Sequence, residues 1–185
     1  QLREYEEGEQ LIIESYQIMD QLGDEMGLAL ALVNLSEFEV IKGDLESAMD
    51  KINSSIELSI SVGNDYVHSV AKSTKSQLIV YGNGDFNQAR IHADEALEIA
   101  HLIKNSDAEI MALEAKLSLE SELENFNVAS GIVDQLLSMN CRQSKQIIYL
   151  REKAKFKQMN GENDEAVECL QDAREIAEST GDELD

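Results

Sequence analysis

Four stretches of the chain line up without gaps: GDLESA (residues 43–48), GDFNQA (84–89), ENFNVA (124–129) and GENDEA (161–166). Each sets an alanine five residues after a turn-like opening, and the starts at 43, 84, 124 and 161 lie 41, 40 and 37 residues apart. Self-similarity at a fixed period of roughly 20 to 50 residues is the mark of a repeat array, in which each unit buries its apolar face against the next. The residues 9, 12 and 16 beyond each start are Ile52, Ser55 and Ser59; Ala93, Ala96 and Ala100; Val133, Leu136 and Asn140; Leu170, Ala173 and Ala177. Those offsets trace one stripe of an α-helix. Small side chains along it let a neighbouring helix come close, since interaxial distance follows the residues at the contact.

Helix ends are written in the same register. Gly63, Asn105 and Gly181 stand 20 or 21 residues after their starts, where glycine or asparagine can take the left-handed conformation that stops a helix. Between these second helices the pattern predicts first helices over roughly 25–41, 65–81, 107–122 and 143–159, several opened by an aspartate or serine able to cap free amides. Counting backwards places Gly8, Ile12, Ser15 and Met19 on the stripe, so residues 4–21 read as a second helix without its first. The closing GDELD (181–185) echoes GDE at 23–25, where a first helix begins. The expected organisation is a half repeat over 1–22 and repeats over about 23–63, 64–105, 106–141 and 142–181. The whole is expected to be a segment of a longer protein.

Composition agrees with an all-α chain. Proline is absent, there are 10 glycines in 185 residues, and 43% of residues are apolar, enough to build a core. Thirty-seven acidic residues against 15 basic ones leave a formal charge of −22, which repels nucleic-acid phosphates and anionic lipid. The longest apolar run, residues 28–33, is too short to span a bilayer, and the start of the chain lacks a signal-peptide pattern; a soluble, cytoplasmic location is expected. Cys141 and Cys169 lie 28 residues apart without a CxxC, and read as free thiols.

The alanine, large residue, alanine spacing after a GD turn resembles the tetratricopeptide repeat. Ala48, Ala89, Ala129 and Ala166 match the family's first small site; Ala96 and Ala173 match its second, Ser55 is small there and Leu136 departs. The long period and the ALEIA phrase (96–100) look most like arrays attached to bacterial signalling regulators and to adaptor proteins. The proline that often closes a repeat is missing, and the aromatic signature of the first helix is weak. The resemblance implies an all-α, right-handed superhelical solenoid of antiparallel helical hairpins, here about four and a half repeats.

Chemistry is sparse. His68, His92 and His101 form no HExxH and no pair four apart, so local spacing offers no metal site. GNGD (82–85) lacks the GK[ST] and the preceding strand of a phosphate cradle and reads as a repeat turn. The acidic clusters lack calcium-loop spacing. No catalytic residue, metal or cofactor is assigned, and the chain is not expected to be an enzyme.

One segment departs from the overall charge: Arg142, Lys145, Arg151, Lys153, Lys155 and Lys157 face a single acid, Glu152, within 16 residues. Two readings stay open. The following helix is rich in acids, so opposite charges could pair inside a hairpin, or the basic helix could present an anion-attracting patch. In the resembled family first helices line a concave groove. Carrying that register over places Val33 and Glu37, then Ser73 and Gln77, Glu114 and Ser118, and Arg151 and Lys155 along it. The family's lysine and asparagine clamp for acidic C-terminal peptides is not matched, because Val33 and Glu37 occupy its place. The expected function is a protein- or peptide-binding scaffold serving as the interaction or sensory module of a larger, bacterial signalling or transcription regulator. Self-association with a second copy, and reception of a peptide pheromone or small ligand, are the alternatives. Nucleic acid and membrane are not expected partners.

Overall fold

A computed structural model describes the backbone of residues 2–180 and the side chains of residues 7–179. Among the described residues every regular element is an α-helix: α1 (Leu2–Leu22), α2 (Glu25–Lys42), α3 (Leu45–Ser61), α4 (Asp65–Tyr81), α5 (Phe86–Ile103), α6 (Ser106–Glu122), α7 (Phe126–Ser138), α8 (Gln143–Met159) and α9 (Asn163–Thr180). The first helices expected from the periodicity are α2, α4, α6 and α8. The chain packs as two units, residues 1–115 and 116–185, with the boundary inside α6.

Local turn chemistry explains why the helices break where they do. Asp24, Asp44, Asn64, Asp85 and Asn105 each accept a hydrogen bond from a backbone amide two or three residues on, at 2.9 to 3.1 Å. Such a cap supplies a partner to one of the amides that a helix start leaves open. On the other side of these turns the backbone turns left-handed. Gly43, with φ of 82°, takes that conformation without a Cβ penalty, and its amide and that of Asp44 return to Val40 and Glu39 carbonyls at 2.9 Å.

Three turns are left-handed at a residue other than glycine, and one of them, after α5, departs from the expected Asn105. In GNGD the left-handed residue is Asn83, with φ of 52°, and Gly82 is not. At the end of α5 it is Lys104, while Asn105 caps α6 through Ala108. Before α7 it is Glu124, with φ of 56°. Gly181 lies outside the described residues.

In the first unit α1 packs on α2, α2 on α3, α3 on α4 and α4 on α5, and α2 also touches α4. Contacts between consecutive helices plus one between successive first helices are what stacked hairpins produce. The stripe read from the sequence is the buried face: Ala48, Ile52, Ser55, Ser59, Ala89, Ala93, Ala96 and Ala100 all have 0% exposure. Its small side chains bring backbones near enough for hydroxyls to reach across. Ser55 Oγ donates to the Ala29 carbonyl at 2.7 Å, and Ser69 Oγ donates to Ala96 at 2.8 Å. Val33, Ala48, Ile52, Val70, Ala71 and Leu78 form the core between α2, α3 and α4.

In the second unit α7 packs on α8 and α8 on α9. Ile147 and Leu150 meet Ala173 and Ala177, Ala154 meets Ala166 and Cys169, and the rings of Phe126 and Phe156 stack with centroids 6.0 Å apart. Helix α7 has 13 residues where α3, α5 and α9 have 17 or 18. One turn is missing, which accounts for the shorter last spacing and leaves Asn140, expected on the stripe, exposed beyond the helix end. Ala129, Val133 and Leu136 keep the stripe buried above it. Both cysteines are free, and burial raises the Cys169 thiol above its ordinary pKa.

Candidate protein-binding surface

The structure sorts the basic residues of α8 into two groups. Lys153 reaches back to Asp134 of α7 at 2.6 Å. Lys157 bridges Glu162 and Glu165 at 2.5 Å each, and those carboxylates, Glu162 first, push its pKa up. These lysines hold neighbouring helices together, the internal reading of the charge. Arg151 and Lys155 point elsewhere: both are exposed, and the Lys155 ammonium has only Glu152 on its own helix, at 3.8 Å with 67% of the side chain open. A pair so exposed contributes at most about 1 kcal/mol.

Arg151 and Lys155 line one side of an open cleft of about 350 Å³ between α8 and α9, together with Gln158 and Asn163. The rest of its lining is apolar: Ala154, Ala166, Val167 and Leu170. Leu170 sits nine residues after its repeat start, as do Ile52, Ala93 and Val133. Those three are sealed at 0% exposure, whereas Leu170 is 51% exposed and so is Val167. The cleft therefore combines two cations with apolar surface, chemistry suited to an acidic segment that also carries apolar side chains.

The other expected groove residues are placed differently. Val33 has 2% exposure and belongs to the α2–α3–α4 core, and Ser73 has 1% and donates to the Ser69 carbonyl at 3.0 Å. Neither side chain reaches solvent, because helix-to-helix packing covers that side of α2 and α4. Glu37 is exposed, and Gln77, Glu114 and Ser118 are half-buried.

Sequence reasoning did not single out a polar cluster on α4. Lys72 pairs with Glu95 of α5 at 2.6 Å, and Lys75 donates to Asn53 of α3 at 2.7 Å. His68 and His92 flank them; His68 Nε2 is buried without a hydrogen-bond partner, and His92 Nδ1 is buried 3.7 Å from the Glu95 carboxylate, beyond hydrogen-bond distance. Burial, then the Lys72 charge, lowers both imidazole pKa values, and the hydrogen bond from Lys72 lowers that of Glu95. A positional signal was available. Lys75 and Lys153 are each the eleventh residue of their helix, and their acceptors Asn53 and Asp134 are each the ninth residue of the preceding one. The same brace is thus built twice. His101 is exposed and lies 3.2 Å from Glu109. No group of three or more metal-ligating side chains occurs among the described residues, and none of their helices is long and apolar enough to cross a membrane.

No protein-family model matches the chain, and no curated protein matches it. Solved structures do. BtubC (BKLC) from P. vanneervenii superposes with a TM-score of 0.78 at 13% identity, over 98% of this chain and 76% of that one. Two structures of nearly identical TPR-like repeats of a kinesin light chain-like protein from Podosopora anserina give TM-scores of 0.67 and 0.64 at 15% and 14% identity. They cover 97% and 95% of this chain, and 89% and 88% of theirs. With hairpins of this period, a small-residue stripe sealed on α3 and α5 and these superpositions, the chain has the fold of a tetratricopeptide-like repeat array.

Proposed function

We propose that the chain is a protein-binding scaffold whose contact surface includes the α8–α9 cleft. The observation that carries this is the division within one basic helix: Lys153 and Lys157 are consumed by internal pairs, while Arg151 and Lys155 stand exposed beside half-open Val167 and Leu170. In a chain of charge −22, two exposed cations that bridge to no other helix and are set over apolar surface favour an acidic, partly apolar polypeptide. Glu37, Gln77, Glu114 and Ser118 stay in the proposal as further contact points; Val33 and Ser73 leave it because their side chains are buried. The resemblance of the repeat period to arrays in bacterial regulators supports a setting in a larger signalling protein.

The test is capture of a native partner by the wild-type chain beside an Arg151→Glu, Lys155→Glu variant, with circular dichroism confirming equal helicity. Loss of the partner with the variant supports the cleft. Equal retention by both excludes it as the contact surface.

A further inference from the structure

The GNGD turn (82–85) carries two glycines that its backbone does not require. Its left-handed residue is Asn83, with φ of 52°, whereas Gly82 has φ of −80° and Gly84 has no positive φ either. The turn is also long. Two residues join α2 to α3, three join α6 to α7 and three join α8 to α9, but four join α4 to α5. What the two glycines lack is a side chain, and both stand where one would intrude. A Cβ on Gly84 would come within 3.1 Å of Ile79 Cγ2, and one on Gly82 within 3.4 Å of Leu45 Cδ1. At Gly43, Gly63 and Gly161, where φ is positive, a Cβ would meet nothing within 4 Å.

Beside these glycines lies an open cleft of about 480 Å³ between the start of α3, the end of α4 and the start of α5. Leu45, Met49, Leu78 and Ile79 give it an apolar floor, and all but Leu78 are only half-buried. Glu46, Asp85 and Gln88, all exposed, complete the lining. Neither carboxylate has a basic partner among the described residues. Lys42 pairs with Glu9 and Glu39, Lys51 pairs with Glu39, and the Asp85 carboxylate accepts the Asn87 amide at 2.9 Å. Helices α2 and α6 flank these three helices in the chain, so the opening does not depend on where the chain begins or ends.

We propose that this cleft takes an apolar side chain, leucine or one of similar size, presented by a basic segment of a partner polypeptide. The four apolar residues seat the inserted side chain away from water, and Glu46 and Asp85 meet lysine or arginine on either side of it. Glycine at 82 and 84 lets the partner's backbone come close. Charge selects the occupant: two carboxylates without basic partners, in a chain of −22, attract cations and turn away an acidic segment. Exposed ion pairs add little, so the seated side chain carries the affinity and the carboxylates the selectivity. The site lies apart from the α8–α9 surface, which favours the opposite charge, and its failure would leave that reading untouched.

The experiment is methyl NMR on the full chain, titrated with a synthetic peptide that holds one leucine between two pairs of arginines. A second peptide has alanine in place of the leucine, and a third has glutamates in place of the arginines. The first is expected to give saturable shifts of the Leu45, Met49, Leu78 and Ile79 methyls, the alanine peptide to bind roughly tenfold more weakly, and the glutamate peptide to give none. Glu46→Gln, Asp85→Ser removes both charges while serine keeps the cap on α5, and is expected to weaken the first peptide by roughly threefold or more. Its methyl spectrum without peptide shows that the fold is kept. A basic peptide also finds other acidic faces of the chain, so the place of the shifts and their dependence on leucine decide. No saturable shift at these four residues, an alanine or glutamate peptide that binds as tightly as the first, or a double variant of unchanged affinity each overturns the proposal.

Discussion

Ile52 and Leu170 occupy the same place in their repeats, and the structure makes opposite predictions for removing them. Ile52 has 0% exposure and touches the core formed by Val33, Ala48, Val70, Ala71 and Leu78. Ile52→Ala deletes three methyl or methylene groups, about 2.4 kcal/mol of transfer free energy at ~0.8 kcal/mol each. The cavity left among close-packed neighbours adds roughly 1 kcal/mol, for a total of about 3 to 4 kcal/mol. Leu170 is 51% exposed, so Leu170→Ala forfeits about half of that transfer term, leaves no closed cavity and exchanges leucine for the better helix former. The expected loss is about 1 kcal/mol. Urea unfolding followed by helical circular dichroism measures both, with the slope of each transition checked because the chain packs as two units. Equal losses at the two positions, or a larger one at Leu170, would refute the assignment of the stripe to a buried face at α3 and an open one at α9.

Acid should destabilise the α4–α5 hairpin through its histidines. His68 and His92 have folded pKa values lowered from an ordinary 6.5, so the unfolded chain takes up their protons more readily. Their contribution is complete above pH 6.5, falls as pH drops from there toward the lowered folded values, and levels off below them. Comparing thermal unfolding of His68→Gln, His92→Gln with the wild type isolates that window; parallel pH profiles would contradict it. Glu124→Gly should raise stability by roughly 0.5 to 1 kcal/mol, because a left-handed φ costs a side-chain-bearing residue about 1 to 2 kcal/mol while glycine loses part of that in backbone entropy; a fall in the urea midpoint would count against it. Lys153→Ala should cost about 0.5 to 1 kcal/mol through the brace to half-open Asp134, and Lys155→Ala less than about 0.5 kcal/mol. The reverse order in urea midpoints would show that the two lysines have been assigned the wrong way round.

Helix limits were legible because they are decided locally. The aspartate and asparagine caps and Gly43 act within a few residues of themselves, and so α2, α4, α6 and α8 begin and end within a residue or so of their expected places. The buried stripe was legible for the same reason, being a matter of helical spacing. What failed depends on neighbours. Lys104 and Glu124 turn left-handed with side chains that have no preference for it, and Asn83, which has one, stands between two glycines that offer the same freedom, so the sequence alone does not pick the residue. Val33 and Ser73 were placed on an open groove, but their exposure depends on how closely adjacent helices approach, which no single-helix period records. The basic helix shows the limit most plainly. Its charge was evident in the sequence, but the separation of Lys153 and Lys157 from Arg151 and Lys155 follows from where α7 and the start of α9 put Asp134, Glu162 and Glu165.

The most direct test of the account places a photo-crosslinking residue at Leu170, in the cleft, and separately at Leu102, which is 77% exposed on α5. If the α8–α9 cleft is the contact surface, irradiation in the native setting joins a polypeptide to position 170 and not to position 102, and Arg151→Glu, Lys155→Glu abolishes the product. Crosslinking from position 102 alone, or from position 170 regardless of those two charges, contradicts the claim.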